Sequence, residues 1–179
     1  DVLPLWVADM DFQVSSYIQE ALSGNVAHGI FGYSEAEGSY FEAVAGWMSR
    51  HYGWNVEETW LVKTPGIVFA LAQAVRAFTE PGDAVLLQQP VYYPFSQVIR
   101  DNGRKIVDNT LVQGEDGRYR IDFTDFEEKI RSAHVKLFFL CNPHNPVGRV
   151  WTKEELLRLG DICEWYGVIV VSDEIHEIG

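Results

Sequence analysis

Apolar positions along the chain fall into short runs separated by turn residues, and the runs switch between two periods. Leu137-Phe138-Phe139-Leu140 is apolar without interruption, the pattern of a strand buried on both faces. Val168-Ile169-Val170-Val171 has the same form. Ala84 to Gln88 and Lys105 to Thr110 read as further strands, and Trp60-Leu61-Val62-Lys63 as a short one. Between them the spacing predicts helices over Ile67 to Phe78, from Pro94 to about Asn102, from an Asp122 or Thr124 cap to about Ser132, and over Thr152 to Tyr166. Thr152 with Glu155 forms a capping box. Gln113 to Arg118 reads as a polar hairpin or loop.

Nearer the N-terminus, Ser15 or Ser16 is placed to cap a helix running to about His28, with Ile18, Ala21, Leu22 and Val26 as its apolar stripe. Gly29 stops it. A second helix covers Tyr40 to Tyr52, and Leu3 to Phe12 reads as an extended segment ending in a turn. Strands alternating with helices predict an α/β fold, a mostly parallel sheet with helices on both faces. No internal repeat interrupts the pattern.

Composition narrows the functional classes. Hydrophobic residues make up 47% of 179, with six Trp, eight Tyr and ten Phe, enough for a sizeable core. A net charge of −12 argues against a nucleic-acid or anionic-membrane partner. No apolar run approaches the roughly 20 residues of a membrane span. Cys141 and Cys163 stand in apolar settings without CxxC spacing, so buried free thiols and a cytosolic setting are expected. A chain opening on Asp1 and stopping at Gly179 reads as a piece of a longer protein.

Four features fall at the carboxyl ends of predicted strands, where open α/β sheets bind ligands. Thr64-Pro65-Gly66-Ile67-Val68 turns into a helix whose first amides form an anion site; a plain helix cap is the simpler reading. Pro90-Val91-Tyr92-Tyr93-Pro94 holds two rings on which a flat ligand can stack, unless they are ordinary core aromatics. In Asn142-Pro143-His144-Asn145-Pro146-Val147-Gly148 the Asn-Pro steps keep each Asn out of the helical region. The Asn145 amide can then donate to a phenolate-like oxygen or serve only its own turn. Asp173, ending an apolar strand, needs a cationic partner if buried, and His176 can share its pocket. A metal at Asp173, Glu174 and His176 is the weaker alternative, because no second His or carboxylate cluster accompanies them. Jointly these four features describe a phosphorylated, cationic aromatic ring bearing an oxygen, which is pyridoxal 5′-phosphate (PLP).

At this point the chain resembles the class I/II aminotransferase superfamily, PLP enzymes of fold type I, and within it the cystathionine β-lyase (C–S lyase) branch. Leu3–Phe12 (LPLWVADMDF), Gly29–Ser34 (GIFGYS), Cys141–Trp151 (CNPHNPVGRVW) and Ser172–His176 (SDEIH) carry the resemblance. It implies the major domain of that fold over 36–179, with 1–35 belonging to the small domain, the dimer contact and the substrate mouth. It implies that Gly66, Ile67 and Val68 cradle the phosphate, Tyr92 stacks on the ring, and Asn145 bonds the ring oxygen with His176 beside it. Asp173 would pair with the ring nitrogen, Tyr33 would reach the phosphate of a partner subunit in a homodimer, and Ala8 would lie nearest the substrate. The lysine that binds the coenzyme covalently and the arginine that grips the substrate carboxylate follow SDEIH in the family. None of Lys63, Lys105, Lys129, Lys136 and Lys153 matches that lysine, so this piece alone should be inactive. The implied reaction is β-elimination from L-cystathionine or related cysteine conjugates. Transamination of L-amino acids, or a regulatory binding role on the same scaffold, are the alternatives.

Overall fold

A computed structural model describes residues 2, 9 and 11–177 of the chain. It separates into two compact units, Asp1–Val56 and Glu57–Gly179.

The first unit holds α1 (Ser16–His28) and α2 (Gly38–Tyr52). Ser15 occupies the N-cap of α1 without a side-chain hydrogen bond. Gly29 closes α1 with φ 74, its amide donating to the Asn25 carbonyl; a left-handed residue there favours glycine. The apolar stripe of α1 is not a buried face: Ile18, Leu22 and Val26 are all exposed.

The second unit opens with a 3-10 turn, Glu58–Trp60, where the sequence predicted a strand over Trp60 to Lys63. The Trp60 and Leu61 amides donate to the Glu57 and Glu58 carbonyls, a local bonding that leaves no ladder for a neighbouring strand. Then follow α3 (Ile67–Phe78), β1 (Ala84–Leu87), α4 (Pro94–Asp101), β2 (Lys105–Asp108), a hairpin of β3 (Val112–Gln113) and β4 (Tyr119–Arg120), α5 (Phe123–Ala133), β5 (Leu137–Cys141), α6 (Lys153–Tyr166) and β6 (Ile169–Asp173). Asp122 caps α5 by accepting from the Thr124 and Asp125 amides, and Thr152 and Glu155 form the expected capping box on α6.

The main sheet is all parallel in the order β2-β1-β5-β6. Its side chains alternate between two cores. Leu86, Phe138 and Leu140 point to Phe126 and Ile130 of α5 and to Leu159 and Cys163 of α6. Val85, Leu87, Leu137 and Phe139 point to Leu71 and Val75 of α3 and to Phe95 and Ile99 of α4. Each fully buried Leu or Phe contributes about 1.5–3 kcal/mol. Every residue of β5 is buried, as its unbroken apolar run requires. β6 differs from expectation, with Ile169 and Val170 each 41% exposed. It is one of the sheet's two edge strands among the described residues, with β5 as its one strand neighbour there. Both cysteines are buried and free, and burial pushes the Cys163 thiol up to about 12. Among the described residues no helix is long and apolar enough to cross a membrane.

Candidate active site

The chain passes from β1 outward to β2, then crosses back to place β5 on the other side of β1. That reversal opens a crevice at the carboxyl ends of β1 and β5, the position where open α/β sheets accept ligands. Tyr92 follows β1, Asn145 follows β5, and Asp173 ends β6. Cys141 and Asp173 are register partners across β5 and β6, and the Asn142 amide donates to the Asp173 carbonyl at 3.0 Å.

Tyr92 stands at the rim, 36% exposed. Its ring is tilted 59° to that of Tyr93, with centroids 5.4 Å apart, which leaves a face of Tyr92 available. Its amide donates to the Asn145 carbonyl at 3.0 Å. This bond crosses the crevice and ties the two loops together. The Gln89–Pro90, Asn142–Pro143 and Asn145–Pro146 peptide bonds are cis.

The two asparagines of the Asn-Pro steps have different work. Asn142 Oδ1 accepts from the Trp151 amide at 3.0 Å, so its side chain is spent holding the loop. Asn145 is held by its backbone, its amide donating to Cys141 Sγ at 3.4 Å. Its side-chain Nδ2 lies 3.2 Å from His176 Nε2. An amide nitrogen only donates, so Nδ2 is the donor of any bond between them. The second Nδ2 hydrogen remains for a ligand oxygen.

Asp173 is 6% exposed. Its Oδ1 accepts from the Ile175 amide at 3.1 Å, and among the described residues no Lys, Arg or His forms an ion pair with it. A buried carboxylate without a cation is costly, and a protonated ring nitrogen is the kind of group that would offset the cost. Gly66, at the N-cap of α3, makes no side-chain cap. A Cβ added there would meet nothing within 4 Å, so the fold does not require glycine at 66. The Ala70 amide is the first to find a partner in the helix, the Gly66 carbonyl, leaving the amides of Ile67, Val68 and Phe69 for an anion at the positive end of the helix.

These groups suit a phosphorylated, cationic aromatic ring carrying an oxygen. Contacts join Tyr92 to Asn145 and Asn145 to His176, and the strand register brings Asp173 beside them. Gly66 to Val68 sit at the start of α3, which packs against α4 and β6. Tyr33 belongs to the first unit and is fully exposed; Ala8 lies outside the described residues. Among the described residues no three His, Cys, Asp or Glu side chains gather as metal ligands.

Sequence reasoning gave His144 no role of its own within the Asn142–Gly148 stretch. His144 is 2% exposed, packed edge-on against the Trp151 ring at 5.7 Å between centroids, and burial holds its ionisation below the ordinary histidine value. Its place between two Asn-Pro steps and directly after a buried strand was the available signal.

The family profile described as Aminotransferase class I and II matches residues 1–179. The chain is 52% identical over 176 residues to cystathionine beta-lyase PatB of Bacillus subtilis, covering 98% of this chain and 45% of that protein. It is 35% identical over 177 residues to protein MalY of Escherichia coli, again 98% of this chain and 45% of the relative. The solved structure of cystalysin from Treponema denticola, which contains a pyridoxal 5′-phosphate cofactor, superimposes with a TM-score of 0.92 at 39% identity, over 97% of this chain and 44% of that one. The chain thus spans less than half the length of these relatives. Parallel sheet, crevice, open helix start and unpaired aspartate agree with the profile match, and the chain belongs to the class I and II aminotransferase family, whose fold is that of PLP enzymes.

Proposed function

We propose that the whole protein is a PLP-dependent C–S β-lyase acting on L-cystathionine or related cysteine conjugates. The observation that carries this is the buried, cation-free Asp173 one strand from the Asn145 amide, in a chain 52% identical to a cystathionine β-lyase. The Ile67 and Val68 amides, with Gly66 leaving the approach open, hold the phosphate. Tyr92 covers one face of the ring, and Asn145, fixed by His176, donates to the ring oxygen. Asp173 holds the proton on the ring nitrogen by its negative charge. So held, the coenzyme supplies an electron sink for the pair left when the substrate's α-proton is removed.

The base that takes this proton, and the group that grips the substrate carboxylate, belong to the remainder of the protein. In β-elimination the Cα–H and Cβ–S bonds break and the thiolate leaves with the C–S pair. Water then converts the remaining three-carbon enamine to pyruvate and ammonia. The enzyme is a cytosolic homodimer in which Tyr33 serves the phosphate of the partner's site and Ala8 lines the substrate mouth.

Transamination shares the step of α-proton removal, so the leaving group distinguishes the two reactions. The full-length protein, given PLP and no keto acid, should release pyruvate continuously from S-substituted cysteines. L-Alanine has no leaving group and can yield pyruvate only by giving up its amino group. It should therefore produce no more than one equivalent per site. Continuous turnover of cysteine conjugates only when a keto acid is present would instead support the aminotransferase alternative.

A further inference from the structure

The loops that carry Tyr92 and Asn145 are joined through His144. Three groups of His144 each hold a different piece of them. Its amide donates to the Arg149 carbonyl at 2.7 Å, and its carbonyl accepts from the Gly148 amide at 2.8 Å, closing the turn that presents Asn145. Gly148, at φ 67, adopts the left-handed conformation this closure needs. The imidazole leaves the turn altogether: Nε2 lies 3.2 Å from the Gln88 carbonyl, which follows β1 and precedes the Pro90–Tyr92 loop.

A carbonyl only accepts, so Nε2 carries the proton. Nδ1 is then a bare acceptor, and it is buried with no partner among the described residues. The side chain is thus held in a single tautomer. Together with the Tyr92 amide bond to the Asn145 carbonyl, it forms the second of two ties across the crevice between β1 and β5.

We infer that His144, as the neutral Nε2–H tautomer, is a positioning residue that sets the Asn145 amide relative to the Tyr92 ring and so governs coenzyme affinity. This rests on the assignment of Tyr92 and Asn145 to the coenzyme. Two substitutions in the full-length protein separate the donor from the ring. His144→Gln keeps an N–H at the reach of Nε2 but loses the aromatic ring; His144→Phe keeps a ring against Trp151 but has no donor.

The dissociation constant of PLP, read by fluorescence titration of the apoprotein, should stay within about threefold for Gln. It should rise about tenfold for Phe, the consequence of a buried carbonyl losing its one donor. Equal affinities, or Phe binding more tightly than Gln, would overturn the inference. A wild-type protein that does not bind PLP would overturn the coenzyme assignment itself. Nitrogen-15 NMR of the unsubstituted apoprotein provides a test without variants: the Nε2–H pattern is expected for His144, and an Nδ1–H or doubly protonated ring contradicts it.

Discussion

Asp173→Asn in the full-length protein should lower kcat/KM by about 10²- to 10⁴-fold while the fold survives. The carboxylate is 6% exposed and its only hydrogen bond within the described chain is the one Oδ1 accepts from the Ile175 amide at 3.1 Å. Asparagine keeps that oxygen, so the turn after β6 stays capped. What it removes is the negative charge that, in the proposed site, holds the proton on the ring nitrogen. Removing one partner of a buried ionic pair costs about 3–5 kcal/mol, and each 1.36 kcal/mol is about tenfold. Steady-state kinetics beside a thermal melt separate the two effects: activity should collapse with a near-constant Tm. Activity within a few-fold of the parent would remove Asp173 from its assigned role.

The largest effect on stability is expected at Phe138. It is fully buried at the centre of β5 and meets Phe126 of α5 edge-on, with centroids 5.0 Å apart and planes at 72°. Alanine there leaves a cavity between sheet and helix layer, which costs about 3–5 kcal/mol. Against a total of about 5–15 kcal/mol for a domain, that is enough to unfold a sizeable part of the population. Because β5 delivers the Asn145 loop, coenzyme affinity should fall with stability. Trp165→Ala, at a side chain 84% exposed, should change stability by only about 0.5 kcal/mol. Urea denaturation of the two variants compares them directly; a Phe138→Ala midpoint equal to that of Trp165→Ala would contradict this packing.

The parallel sheet and its helices were legible because each local signal agreed with the packing that followed. The run Leu137 to Leu140 carried the pattern of a strand buried on both faces, and Thr152 with Glu155 marked the N-cap of α6. Where the reading failed, the deciding interaction was not local. The apolar run before Asp173 looks like that of β5, but β6 lies at the edge of the described sheet and leaves Ile169 and Val170 half-exposed. Trp60 to Lys63 has strand-forming residues and, among the described residues, no strand beside it. The stripe of α1 is correctly spaced, yet Ile18, Leu22 and Val26 are exposed among the described residues.

In the candidate site the sequence reading named Asn145 rather than Asn142, but not the bond from the Trp151 amide to Asn142 Oδ1 that engages the other side chain. His144 acquires its importance from a carbonyl 56 residues away, a separation at which a single sequence carries no signal.

Elimination by the whole protein is tested most directly by product stoichiometry. The full-length protein, supplied with PLP and L-cystathionine but no keto acid, should release homocysteine and pyruvate in equal amounts over many turnovers. Turnover that begins only when a keto acid is added, with a product that retains its C–S bond, would contradict the account.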